Sequence, residues 1–369
     1  MTPGTIETRA PGKLFIAGEY AVVEPGQPSV LIAVDRYLTV TLSESVGHAA
    51  GSVHSPEYGL IPLTWTRGDS GLTIDREHHP YDYVMAVIGT VEQLRGELGI
   101  PARFYDLRIA SELDDASGRK FGLGSSAAVT VATVHALDRF YELGLTARER
   151  FKLALLATIQ VSPNASGGDV AASTFGGWIR YSAPNRATLR AQLDDRPLRE
   201  VLSGDGWEGF DVARLAPPHG LRLLVGWTGS PASTERLVGG VRRSRRDSGV
   251  DYPAFLLESR GCVDDLVTGL DDGDDDLTLD ALRRARRLLQ RLGAQSGTLI
   301  ETDRLARLCD TAEAAGAAGK PSGAGGGDCG IVLAPADADL TRMLRSWESH
   351  DIRHLTLSVH PPEGSVDDH

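Results

Sequence analysis

Residues 120–137, K-F-G-L-G-S-S-A-A-V-T-V-A-T-V-H-A-L, open as a glycine and serine loop and close as an apolar helix. Gly122 and Gly124 permit positive φ and a close backbone approach to a ligand. Ser125 and Ser126 stand where a helix leaves its first N–H groups unpaired, and those groups together with the helix dipole attract an anion. Val129, Ala132, Val134 and Leu137 have the apolar spacing that seats such a helix in a core. Two readings fit these residues: a cradle for phosphate, or a glycine loop with a serine-capped helix behind it.

What surrounds the stretch narrows the classes of function. A chain of 369 residues is long for one core and predicts two domains, and 41% hydrophobic residues can fill both. No apolar run reaches the roughly 18 residues of a membrane span, and no signal-peptide pattern opens the chain. Cys262, Cys309 and Cys329 have no C-x-x-C spacing and imply neither a disulfide framework nor a zinc site. A cytoplasmic protein without a membrane partner is the expectation. A net charge of −12 argues against nucleic acid as a partner, so an anionic ligand would need locally concentrated positive charge.

The lysines suggest where that charge gathers. Lys and Arg together number 38, yet only Lys13, Lys120, Lys152 and Lys320 are lysines. Three of these lie in or beside glycine-rich loops: A-P-G-K, K-F-G-L-G-S-S and K-P-S-G-A-G-G-G-D. An ammonium is a compact point charge that fits against a phosphate where a guanidinium fork does not. Lys152 sits in the helical pattern F-K-L-A-L-L and reads as a surface residue.

In chain order, Thr5–Arg9 predicts a strand, Pro11-Gly12 a turn, and Val30–Leu42 a second strand. Ser52–Trp65 predicts a hairpin turning near Gly59. Val84 to Leu98 has helical spacing with Gly99 as its stop, and Phe104–Ile109 is strand-like. A helix follows from Thr146 to Gln160. The loop S-P-N-A-S-G-G-D-V-A-A-S at 162–173 places Asp169 beside Ser166 and two glycines. By position alone Asp169 suits an N-cap carboxylate better than an active-site carboxylate. The strand Gly177–Tyr181 closes the first domain in this reading, and a linking helix follows.

The second half starts with the strand Leu221–Thr228 and a turn, Ser230–Thr234, that caps a helix. Arg242–Arg246, R-R-S-R-R, fits an anion site or, more commonly, a solvated helix face. Asp271–Asp276 reads as an acidic surface loop, since it lacks the spacing of a calcium loop. Helices follow through Leu282–Leu292 and Leu305–Leu308. Four glycines among 323–327 are costly to order and imply close approach to a phosphate or to the other glycine loop. A strand near Leu355–Val359 ends the fold, with a loose tail beyond.

Two standard phosphate loops can be set aside. No segment fits G-x-x-x-x-G-K-[ST]. G-L-G-S-S-A matches the loose dinucleotide pattern, but no strand runs directly into it and the chain is still helical where a strand-end acid belongs.

Three segments in this order resemble the GHMP kinase superfamily: A-P-G-K-L-F-I-A-G-E-Y at Ala10–Tyr20, G-L-G-S-S-A-A at Gly122–Ala128, and S-G-A-G-G-G-D at Ser322–Asp328. With V-G-W-T at Val225–Thr228 and the extended first and third segments, the set is most similar to the phosphomevalonate kinase family. The resemblance implies a two-domain α+β fold. Residues 1–185 would form a domain like ribosomal protein S5 domain 2, with the ATP phosphate loop. Residues 186–369 would form a ferredoxin-like domain carrying the second glycine-rich loop.

It also implies ATP-dependent phosphorylation of mevalonate 5-phosphate to mevalonate 5-diphosphate, with Mg²⁺, in the mevalonate route to isoprenoids. Gly122, Leu123, Gly124, Ser125, Ser126 and Ala127 fall on the ATP loop. Lys13, Lys120 and Asp169 fall at the reaction centre. Glu19, Tyr20, Ser166 and Gly168 fall on the acceptor side with Lys13 and Asp169. Ser233, Thr234, Ser322, Gly323, Ala324 and Gly325 complete that side. Mevalonate kinase-like relatives place a Mg²⁺-holding glutamate upstream of the loop aspartate; here that position is Thr158, leaving Ser126 as the metal candidate.

The acceptor phosphate has a second pKa of about 6 and is largely a dianion at neutral pH, so a strong base is unnecessary. Asp169 is then expected to position, and Lys13 to bridge the two phosphates. Competing readings are a hydroxyl-directed kinase such as mevalonate kinase, and a metabolite-sensing relative without catalysis. Lys13, Asp169 and both intact glycine loops count against the second.

Overall fold

A computed structural model describes residues 4–364 apart from 46–48, 57–58, 60, 69–70, 76–80, 116, 231–232 and 248–250. Its first sheet is built on two long antiparallel strands, β1 (Ile6–Ala17) and β2 (Pro28–Glu44). The turn expected at Pro11-Gly12 is instead a shift of register inside β1. Proline has no N–H for the ladder, so an interruption of the ladder tolerates it. Gly12 is needed at the same place because a Cβ there would meet Leu113 at 2.9 Å and the Leu123 carbonyl at 3.0 Å. Straightened in this way, β1 carries Lys13 directly under the residue 122–124 loop, where its N–H donates to the Leu123 carbonyl at 2.8 Å.

β2 also pairs with β6 (Tyr105–Ser111) along one half and β7 (Trp178–Ser182) along the other. The predicted hairpin is present as β3 (Gly51–His54) and β4 (Leu63–Gly68), with Gly59 between them. A short β5 (Gly71–Ile74) adds an edge. Helices α1 (Asp82–Glu97), α2 (Ser125–Tyr141), α3 (Ala147–Val161) and α4 (Gly168–Phe175) pack together, with α2 and α4 against β1 and β2. α3 starts where expected because Thr146 and Glu149 form a reciprocal capping box.

The expected division at 185/186 falls inside this layer. α5 (Arg186–Asp195) and α6 (Leu198–Ser203) pack on α3, and β8 (Asp211–Leu215) pairs with β7 as the sheet's last strand. The chain leaves the first sheet only after Leu215.

The second sheet is antiparallel in the order β10 (Ala318–Pro321), β11 (Cys329–Pro335), β9 (Leu221–Trp227), β12 (Arg353–Leu355). Around it lie α7 (Thr234–Asp247), α8 (Tyr252–Asp272), α9 (Asp275–Ser296), α10 (Asp303–Ala314) and α11 (Leu340–Ser349). Leu282, Leu288, Leu289, Leu292, Leu305 and Leu308 are all buried, as their spacing predicts.

The acidic run is a helix–helix corner rather than a surface loop. Asp271 and Asp272 end α8, Gly273 caps it in the left-handed region, and Asp274 accepts the N–H of Leu277 as N-cap of α9.

The C-terminus differs from expectation as well. After β12 the chain crosses back to the first sheet, where Val359 bridges Val34 and His360 exchanges backbone bonds with Ala33 and Gly177. Arg214 donates to the Glu363 carbonyl at 2.8 Å. The tail is therefore tied down through Gly364; residues 365–369 lie outside the described part.

Candidate active site

A cavity of about 520 Å³ opens between the two sheets. One wall is the 122–126 loop. Gly122 and Gly124 both take φ of +83°, and Gly124 is the left-handed N-cap of α2. No side chain caps that helix, so its leading N–H groups face the cavity mouth without a side-chain acceptor. Both glycines are also required by packing. A Cβ on Gly122 would meet the Asp328 side chain at 2.6 Å, and one on Gly124 would meet Lys13 Cε at 3.0 Å. The serine-capped helix and the phosphate cradle are thus resolved in favour of an uncapped end.

Lys13 is nearly buried and its Nζ donates to the Gly122 carbonyl at 3.1 Å. Lys120 is exposed at the rim, where its backbone forms an isolated antiparallel β-bridge with that of Asp114. Lys320, the third lysine beside a glycine loop, is not in the cavity. It is fully buried and its Nζ is bonded to Glu19 and to the Pro321 carbonyl. The glutamate fixes that ammonium as a structural charge. Glu19 does line the cavity, but its carboxylate is engaged from behind.

Asp169 is not the N-cap of α4. Gly167, in the left-handed region, holds that position without a side-chain bond. Asp169 stands one residue into the helix, accepts the Val170 N–H at 3.0 Å, and lines the cavity with Ser166. Its charge is felt by two tyrosines. Burial, and then Asp169, raise the hydroxyl pKa of Tyr83. Burial raises that of Tyr181, with Asp169 adding to it and Arg186 opposing. Tyr181 donates to the Ser166 carbonyl at 2.7 Å, which holds the loop in place.

Tyr20, at φ of +62°, donates its hydroxyl to the Ala324 carbonyl at 2.7 Å and so joins the segment after β1 to the second glycine-rich loop, at 322–327. Ser233 and Thr234 begin α7 at the cavity edge, where Ser233 Oγ accepts the Arg236 N–H. Gly323 and Ala324 line the cavity; Ser322 and Gly325 do not. Ser322 Oγ instead makes two bonds to the Phe15 backbone, at 2.9 and 3.0 Å. Gly325 lies against Ile300, whose carbonyl would be 2.1 Å from a Cβ there. Most of the glycine run therefore serves close packing between loops. Ala127 and Gly168 sit behind the cavity wall.

The sequence reading left Arg242 open between an anion site and a solvated face, and it missed Tyr83, Asn164, Glu235 and Asp328; all five line the cavity. Asp328 ends the third motif and could have been found there; the others lie on elements whose inward face only packing defines.

Thr158 donates into its own helix, to the Ala154 carbonyl at 2.8 Å, and supplies no metal ligand. Among the described residues no three carboxylate, imidazole or thiol groups are arranged so that they could hold a metal ion. The three cysteines are buried, so the cavity's donors are hard oxygens.

Residues 82–177 match the GHMP kinases N terminal domain, and 275–352 match the GHMP kinases C terminal domain. The chain is 45% identical to the phosphomevalonate kinase of Streptomyces sp. strain CL190, over 97% of this chain and 98% of that one. It is 29% identical to the mevalonate kinase of Thermococcus gammatolerans, over 88% of each. Among solved structures it is similar to Streptococcus pneumoniae phosphomevalonate kinase in complex with phosphomevalonate and AMPPNP. That match has a TM-score of 0.84 and 27% identity, covering 96% of this chain and 99% of that one. The chain therefore belongs to the GHMP kinases and has their two-domain α+β fold, within the phosphomevalonate kinase branch.

Proposed function

We propose that the chain transfers the γ-phosphoryl group of ATP to the phosphate of mevalonate 5-phosphate, giving ADP and mevalonate 5-diphosphate. The observation that carries this is the cavity itself. An uncapped helix end, Lys13, Lys120 and Asp169 share one space in a molecule of net charge −12. The 45% identity to a phosphomevalonate kinase, against 29% to a mevalonate kinase, supports a phosphate rather than a hydroxyl as acceptor.

In the transfer, an acceptor phosphate oxygen forms a bond to the γ-phosphorus as the bond to the β,γ-bridging oxygen breaks. Both partners are anions, so positioning and charge neutralisation dominate. The N–H groups at Gly124–Ser126 hold ATP phosphates, Lys13 bridges donor and acceptor, and Lys120 adds charge at the rim. Asp169 positions the reactants, because an acceptor that is already a dianion needs no base. Ser126, Asp169 and the nucleotide's own oxygens suit Mg²⁺, which keeps several waters and would neutralise charge on the transferring group. Ser322 and Gly325 support this site from outside it.

We place the domain division after Leu215, with the nucleotide loop in the first domain and the second glycine loop in the other. No helix among the described residues is long and apolar enough to cross a membrane. That accords with a cytoplasmic enzyme. ADP release by the purified chain against mevalonate 5-phosphate, mevalonate and homoserine tests the reading. Turnover of mevalonate but not its 5-phosphate would replace it with a mevalonate kinase; no turnover on any of the three would favour a sensing role.

A further inference from the structure

Arg242 is the member of the basic run that turns into the cavity, while Arg243 is exposed. It lies on α7, in the second domain. Its Nη1 donates to Asn164 Oδ1 on the loop before α4, in the first domain. Among the described residues it makes no ion pair.

A second guanidinium, buried behind the cavity wall, is near enough for its charge to be felt. Arg186, the first residue of α5, is 7% exposed. Its Nη2 donates to the carbonyl of Val23, a cavity-lining residue, while Nε and Nη1 are buried without a partner. Burial lowers its pKa, and the charge of Arg242 lowers it further, while Tyr181 and Glu24 oppose the shift without reversing it. Two cations that repel each other, one of them desolvated, cost stability unless an anion completes them.

The known neighbours of Lys13 are the glycine loops, whereas those of Arg242 are Asn164 and Arg186. The two cations thus have different neighbours, and the same cavity also presents Val22, Val23 and Val238. The proposed acceptor has matching parts: a phosphate at one end, a carboxylate at the other, and a methyl-bearing carbon between.

We infer that Arg242, held by Asn164 and backed by the charge of Arg186, recognises the acceptor's carboxylate and sets specificity for an acid at that end. Asn164 occupies Nη1 and leaves Nε and Nη2 to bind both carboxylate oxygens.

This rests on the proposed function, and the test separates the two. ADP release is measured with mevalonate 5-phosphate and with its C1 carboxamide, on the full chain and on Arg242→Ala, Arg242→Lys and Arg186→Gln. The unchanged enzyme should show a KM for the amide about 10- to 100-fold above that for the acid, the range for a lost hydrogen bond to a charged group. Arg242→Ala should raise the KM for the acid by the same factor and leave that for the amide where it was, with the KM for ATP unmoved. Arg242→Lys should recover part of the loss, and Arg186→Gln should show the same pattern more weakly. An Arg242→Ala enzyme whose KM rises equally for acid and amide, or whose kcat falls while KM stays, would overturn the assignment. An unchanged enzyme that turns over neither compound would remove the functional reading, and this one with it.

Discussion

Lys13 and Lys320 show how one residue type takes two roles in the same kind of loop. Each is an ammonium beside glycines, yet Lys13 faces the cavity and Lys320 faces Glu19 in the core. Lys13→Met should lower kcat by about 10²–10³-fold, as when one transition-state contact is removed, while ATP binding stays measurable. A near-normal kcat would take Lys13 out of the mechanism. Lys320→Met should leave Glu19 buried and alone, costing about 3–5 kcal/mol in urea unfolding. The double variant Lys320→Met/Glu19→Gln should be more stable than the single one; an equal loss would mean that the ion pair is not the cause. For Asp169 the distinction is between positioning and proton transfer. Asp169→Asn should lower kcat without removing a limb from the pH–rate profile, and a limb near a carboxylate pKa that vanishes in the variant would restore the base.

At the scale of elements, the loop and helix of residues 122–141 were legible because glycine position and apolar period are local properties. What the helix start does was not legible, since serines at that place suit a cap and an anion site equally. The uncapped Gly124 decides it. Gly124→Ala would place a Cβ 3.0 Å from Lys13 Cε in a left-handed residue, whereas Gly144→Ala meets nothing within 4 Å at a similar φ of +68°. Both should lose about 1–2 kcal/mol of stability from the backbone. Only Gly124→Ala should also lose kcat, measured at saturating ATP; equal kcat in the two variants would show that Lys13 is not held through this contact. Pro11-Gly12 and Asp271–Asp276 carry a parallel lesson. Turn residues mark a local irregularity, and tertiary pairing selects whether it is a turn, a bulge or a helix corner.

The whole molecule is closed by its C-terminal segment, which leaves the second sheet and docks on the first. His360 is buried there between Tyr37, on Nδ1, and Glu363, on Nε2 at 2.8 Å. The bond to His360 holds the Glu363 pKa below its ordinary value, with burial opposing. A depressed carboxylate contributes stability that is present above its unfolded pKa and lost as pH falls through the folded one. Glu363→Gln should therefore be less stable than the unchanged chain at pH 7, with the difference fading below about pH 4.5, the ordinary glutamate value. Thermal melts across that range read it directly; a difference that persists undiminished at pH 3 would show that the carboxylate is not what anchors the tail.

By itself the sequence determined the kinase family, the order of the two sheets' main elements, and three loops that meet. Those features depend on residue types at short spacing, which chain neighbours settle. Only the tertiary structure decided that residues 186–215 stay with the first sheet, that Lys320 and Ser322 are structural, and that Arg242 turns inward beside Asn164. Each of those outcomes depends on a partner far away in the chain. An unpaired strand edge, a buried charge and a hydroxyl among carbonyls all take whichever partner the packed elements bring within bonding distance, and no local pattern records which one that is.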